Sequence, residues 1–152
     1  MGVSKDGTMA CTGQKANPKE KDPYFILWDT NTGAKLAMVF YHDRAITSCC
    51  FDDSGNYLIT IGGYDKLTLA VWRVKELIDT NRLDRSTTSI KRITKPLLEH
   101  SLGKCVIHFI YVDPHNSRLD YLELIAGAEK TIKYFLIDLR KMHVEEKKAL
   151  FF

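Results

Sequence analysis

The residues of this 152-residue chain with the reach to do chemistry are five histidines and four cysteines. An imidazole titrates at about pH 6.5, so His42 could serve as a general base. In "CVIHFIYVDPH" (105–115), Cys105, His108 and His115 offer the donor types of a zinc site. Cys105 and His108 stand three apart in a segment read as a strand, however, and so project to opposite sides, away from a shared ion. The turns "DTNTG" (29–33) and "DPHNS" (113–117) space their oxygens like pieces of a calcium loop but lack its central Gly and terminal Glu. No glycine-rich phosphate loop, GxSxG or HExxH occurs, so the chain is read as non-enzymatic, with no metal and no cofactor.

Composition narrows the class further. Apolar residues make up 45% and charged residues 27%, which suits a folded globular chain. A net charge of +3 is mild, and no nucleic-acid partner follows from it. Cys11, Cys49, Cys50 and Cys105 contain no CxxC pair, and neighbours Cys49 and Cys50 would point to opposite faces of a strand, so free thiols in a reducing compartment are expected. The opening "MGVSKDGTMACTGQ" has no apolar stretch of signal-peptide length, and no run approaches the roughly 18 apolar residues of a membrane span. A cytoplasmic chain is expected.

The elements that must position these residues are short. Apolar runs rich in β-branched and aromatic residues are bounded by Gly, Asp, Asn and Pro, the punctuation of strands. Nine strands are expected, at 9–12, 24–29, 35–41, 46–51, 57–61, 68–74, 106–112, 121–126 and 132–138. "SKDGTM" (4–9) and "DDSGNY" (52–57) place a Gly after a small polar residue, as tight hairpins require. "KELIDTNRLDRSTTSIKR" (75–92) lacks strand alternation and reads as an inserted surface loop with a helical turn at 75–78.

A repeat runs through these elements. Trp28 and Trp72 lie 44 residues apart (72 − 28). Laying "SKDGTMACTG" on "DDSGNYLITIG" brings Gly7 to Gly55 and Thr12 to Thr60. A third copy, "VDPHNSRLDYLELIAG", places Val112 on Phe51 and Ile125 on Thr60, with a turn four residues longer, and Ile137 on Trp72. Repeated units of this length with such strands call for sheets that stack on one another.

The segment from Tyr41 to Val74 resembles one blade of a WD-repeat β-propeller, with His42, Phe51, Gly55, Leu58, Thr60, Asp65 and Trp72 in motif order. It departs at Tyr41, at Arg73 and by one extra residue before Asp65. The resemblance implies an all-β fold of antiparallel four-stranded blades, a partial propeller of about three: blade one at 1–41, blade two at 42–100 with its surface insert at 75–92, and blade three at 101–152. It also implies that His42, Thr60, Asp65 and Trp72 form a buried hydrogen-bonded chain whose role is structural. Blade one keeps Thr12, Trp28 and Asp29. Blade three has Ile125, Ile137 and Asp138, with Lys130 near the place of the turn Asp, and must hold by packing alone.

A narrower resemblance is carried by "ACTGQKANPKEKDPYFILWDTNTGAKLAMVF" followed by "RAITSCCFDDSGNYLITIGG". It is similar to the propellers of echinoderm microtubule-associated-protein-like proteins and of cilia- and flagella-associated WD-repeat proteins. This implies a scaffold that binds proteins, tubulin or axonemal components among them, at the cytoskeleton or cilium. The alternative is a WD-repeat adaptor in a complex for ubiquitination, chromatin or trafficking. Two basic clusters, Lys15, Lys19 and Lys21 in one loop and Lys91, Arg92 and Lys95 after the insert, are candidate contacts for an acidic partner. Propellers usually close with at least four blades, so the open edges of three are expected to be covered by further blades or by self-association.

Overall fold

A computed structural model describes residues 1–15, 23–63, 67–84, 95–114, 120–129 and 131–148. Its strands form three four-stranded antiparallel sheets, each in simple chain order. The first holds β1 (Gly2–Val3), β2 (Met9–Gly13), β3 (Tyr24–Asp29) and β4 (Lys35–Phe40). The second holds β5 (Ala45–Phe51), β6 (Tyr57–Gly63), β7 (Thr68–Arg73) and β8 (Leu98–Ser101). The third holds β9 (Ile107–Val112), β10 (Tyr121–Ala128), β11 (Thr131–Asp138) and β12 (His143–Lys148). Beyond the nine strands expected, β1, β8 and β12 are present. These three lie at sheet edges, where one neighbour suffices and a short or charged sequence such as "LEHS" or "HVEEKK" can pair without an apolar pattern.

The sheets stack face to face. Cys11, Phe25, Leu27, Ala37 and Val39 of the first meet Cys49, Phe51, Leu58, Ala70 and Trp72 of the second. On the other side of the second sheet, Ile59, Ile61, Leu69, Val71 and Leu98 meet Val112, Leu122, Leu124, Ala126, Phe135 and Ile137 of the third. β6 is therefore buried along its whole length. Close packing is tightest at the first strands, with β5 against β1 and β2 on one side and β9 on the other, so the sheets fan out from that edge.

Local chemistry sets each hairpin. In the first, Ser4 N–H donates to Met9 O and Gly7 N–H to Ser4 O; in the second, Asp52 N–H donates to Tyr57 O and Gly55 N–H to Asp52 O. Gly7 and Gly55 adopt φ of 73° and 71°, where a Cβ would be strained. The same closing bond in the third sheet runs from Asp113 N–H to Glu123 O, ten residues apart against five in the other two. The third turn is thus five residues longer, not four, and the expected equivalences shift.

That single residue puts Ile125 on the other face of β10, while Ile137, expected at the place of Trp72, keeps its face but lies two residues beyond that place, opposite Leu122. Leu58 pairs with Trp72 and Thr60 with Ala70, while Leu124 pairs with Phe135 and Ala126 with Lys133. Ala126 and Phe135 therefore occupy the places of Thr60 and Trp72, whereas Ile125 lies on the opposite face of its strand. A slip of one in a period-two strand moves every side chain to the other side.

The stretch at 75–92 differs from the surface loop expected. An eleven-residue helix, α1 (Val74–Asp84), occupies its first part. After β3 and β11, Asp29 and Asp138 each accept two backbone N–H groups of a tight turn. Arg73 ends β7 without such a carboxylate; it pairs instead with Glu76 at 2.7 Å in the first helical turn. Val74, Leu77 and Ile78, spaced three and four apart, pack into the wedge between β4 and β7. Asn81, one turn further, accepts the Met38 N–H of β4 at 3.0 Å.

Because Leu77 is 1% exposed, Leu77→Ala should lower unfolding stability by about 3 kcal/mol in urea titration, against a few tenths of a kcal/mol for Lys75→Ala on the solvent side. Equal small losses at both positions would show that the helix is not packed as described.

Candidate functional site

The site is built where β4 passes into β5. His42 lies in this connection and is 5% exposed, tucked between the first two sheets. Trp72 in β7 donates its indole N–H to Thr60 Oγ1 in β6 at 2.9 Å. His42 Nε2 lies 2.8 Å from the same oxygen, and its Nδ1 lies 3.2 Å from Thr68 Oγ1. A hydroxyl has one proton to give. With Thr60 accepting from the indole, its own proton can go to Nε2, which leaves the Nδ1 proton for Thr68 and satisfies every member. Asp65, expected in this chain of bonds, lies outside the described residues; Thr68 was not singled out in the sequence, though its hydroxyl six residues before the end of the blade motif was visible there.

The surroundings are fitted to the imidazole. A Cβ on Gly62 would fall 2.4 Å from His42 Nδ1, so only glycine leaves room for the ring. Tyr41 stands edge-on to both His42 and Trp72, with centroids 5.1 and 5.0 Å away, and Phe25 reaches Trp72 from the first sheet at 5.2 Å. Burial pushes His42 down to about 4, against the weaker opposing pull of Glu99 and Asp43. The ring is neutral near pH 7 and both nitrogens are engaged, which makes it a structural link rather than a base available to a substrate. A cavity of about 220 Å³ beside it is bounded by Tyr41, His42, Asp43, Thr68 and Glu99. Burial, then a hydrogen bond with Glu99, raises the Tyr41 phenol.

The other two sheets carry reduced versions. Trp28 donates to Thr12 Oγ1 at 2.8 Å on the face of the first sheet turned away from the second. In the third sheet Ala126 and Phe135 have no polar atoms to link, and the His100 ring of β8 packs edge-on against Phe135 at 6.1 Å.

The basic residues fall in different places. Lys15 forms a backbone bridge with Ala45 between the first two sheets, and Lys95 is exposed ahead of β8. Lys19, Lys21, Lys91 and Arg92 lie outside the described residues, as do His115 and Lys130. Cys105 precedes β9 rather than sharing a strand with His108. Among the described residues no group of three His, Cys, Asp or Glu side chains is placed to hold a metal. No described helix is long and apolar enough to cross a membrane.

Comparison with known proteins agrees with this architecture. The β-propeller domain of Cps50 (Swd1) from Myceliophteria thermophila superposes with a TM-score of 0.61 at 14% identity, over 97% of this chain and 37% of that one. The structure of U3-55K superposes with a TM-score of 0.63 at 12% identity, over 99% of this chain and 37% of that one. The chain thus spans little more than a third of either. No protein-family model matches the sequence, and no curated protein matches it significantly. The fold is that of a partial β-propeller, its three sheets the blades.

Two outcomes are expected of the site. Stability should decline as pH falls from about 6.5 towards 4, at up to ~1.4 kcal/mol per pH unit, because the unfolded chain protonates His42 first; a His42→Asn chain should lose that component of the slope in urea titrations across this range. Gly62→Ala should cost about 2 kcal/mol or more with His42 present and much less in a His42→Ser background, a coupling readable by double-mutant cycle.

Proposed function

We propose that this chain is a WD-repeat propeller segment of a non-catalytic protein-interaction scaffold, divided into blades at 1–41, 42–100 and 101–152. The observation that carries the reading is the use of its polar side chains. The buried imidazole, hydroxyl and indole are engaged with one another between blades, leaving the surface to others. In the small cavity beside His42, both ring nitrogens already lie at hydrogen-bonding distance from Thr60 and Thr68.

The exposed face of the third sheet supports the need for partners. Successive blades meet through the outgoing face of one and the incoming face of the next. The outgoing face of the third carries Phe109, Tyr111 and Ile132 at 56%, 55% and 38% exposure. Register places Ile132, opposite Gly127, where Phe25 stands opposite Gly13 in the first sheet, and Phe25 is the residue that touches Trp72. A further blade, or a second copy of this chain, would bring its own indole against Ile132. Such a face, apolar near the first strand and polar at the rim through Glu123 and Glu145, fits a protein partner.

For the identity of the external partner we propose microtubules or axonemal components, placing the protein at the cytoskeleton or cilium. The wording of the first blade, "ATGQ"-like through "I-x-WD" to "RAIT", and the basic residues at 15, 19, 21, 91, 92 and 95 support it. An adaptor role in another complex needs neither feature. Co-sedimentation of the intact protein with polymerised tubulin separates the two: pelleting that weakens at least tenfold between 50 and 200 mM salt is expected for a basic surface on acidic tails. Absence of pelleting at low salt overturns the cytoskeletal partner and leaves the adaptor.

A further inference from the structure

Cys11 in β2 and Cys49 in β5 belong to different blades yet meet in the same apolar layer, 0% and 5% exposed. The Cys49 thiol donates to the Cys11 carbonyl oxygen at 3.4 Å, which brings its sulfur against the neighbouring blade's cysteine. The remaining cysteines are elsewhere: Cys50, on the opposite face of β5, and Cys105 both pack against the layer between the second and third blades. Beside Cys49 a cavity of about 300 Å³, lined also by Gly2, Phe51 and Ile110, opens towards solvent.

We propose that Cys11 and Cys49 are a redox modification site, a reversible disulfide that ties the first blade to the second, formed by exchange with a small oxidised disulfide such as glutathione disulfide. Cys49 is the nucleophile. The hydrogen bond from the Cys11 thiol holds Cys49 down to about 7 against burial, with the Gly2 N–H adding to it, while that same contact and burial push Cys11 up. The Cys49 thiolate attacks one sulfur of glutathione disulfide, forming a mixed disulfide and expelling one glutathione thiolate, which is protonated. The Cys11 thiol then gives up its proton, attacks the Cys49 sulfur and expels the second glutathione. Two protein thiols are oxidised by two electrons, and one disulfide is reduced to two thiols. The link closes a span of 38 residues from β2 to β5, so it restricts the unfolded chain as well as the blade contact.

Incubating the purified full chain with excess glutathione disulfide should lower its mass by about 2 Da. Non-reducing peptide mapping should then join the peptides containing Cys11 and Cys49, and the Tm should rise by roughly 5 °C or more, reversibly with dithiothreitol. In Cys11→Ser the Cys49 mixed disulfide should be trapped as a glutathione adduct, whereas Cys49→Ser should carry none at Cys11. Should either variant fail to fold, the map of the unsubstituted chain decides alone. Four thiols still free after oxidation, a link through Cys50 or Cys105, or a link that lowers the Tm would each overturn the proposal.

Discussion

An indole N–H buried between two sheets must find an acceptor, and much of the central blade follows from that requirement. Trp72 is 1% exposed and contributes the largest buried side chain in the molecule's described core. Without Thr60 the N–H would be stranded at a cost of about 1–3 kcal/mol. With Thr60 accepting, the hydroxyl's own proton needs a destination, which brings in His42; and the ring of His42 fits only because residue 62 has no side chain. Tyr41 and Phe25 close the indole from the first blade. Thus a single polar group organises the interior of blade two, and the rings of blade one close over the result.

The gradation across the three blades shows how much that polar chain adds to packing. Blade one retains the indole and hydroxyl on its incoming face, blade two has the imidazole as well, and blade three has replaced all of it with Ala126 and Phe135. The layer between blades two and three is nonetheless continuous from Tyr57 to Leu139, built from aliphatic and aromatic side chains. Hydrophobic contact alone can hold a blade; the hydrogen-bonded chain ties β6, β7 and the β4–β5 connection of the central blade to one another.

Strand identity was legible in the sequence wherever both faces of a strand, or a glycine turn, left a mark. "YLITIGG" and "FILWD" are apolar enough to be buried, and Gly7 and Gly55 announce hairpins with the same internal bonds. The third blade was misaligned because its turn is long and its strands carry apolar residues on both faces: Ile125 and Ala126 are both plausible core residues, and only the pairing of Leu124 with Phe135 decides. Helix α1 was hidden for a different reason. Its apolar stripe of Val74, Leu77 and Ile78 covers a single turn's width among charged residues, and what stabilises it is the wedge between β4 and β7, which no local pattern records. In the site itself His42, Thr60 and Trp72 were given by the resemblance to a WD-repeat blade, whereas Thr68 and Gly62 act through a connection folded back over them.

The amide of Met38 is spoken for. By accepting that N–H, Asn81 removes a donor from the outer strand of blade one, and α1 lies across the strip where an incoming strand would otherwise zip on. Growth by lateral strand addition at this rim is therefore obstructed. One carboxamide on a surface helix thus guards the outer strand of blade one against ribbon-like extension of its sheet.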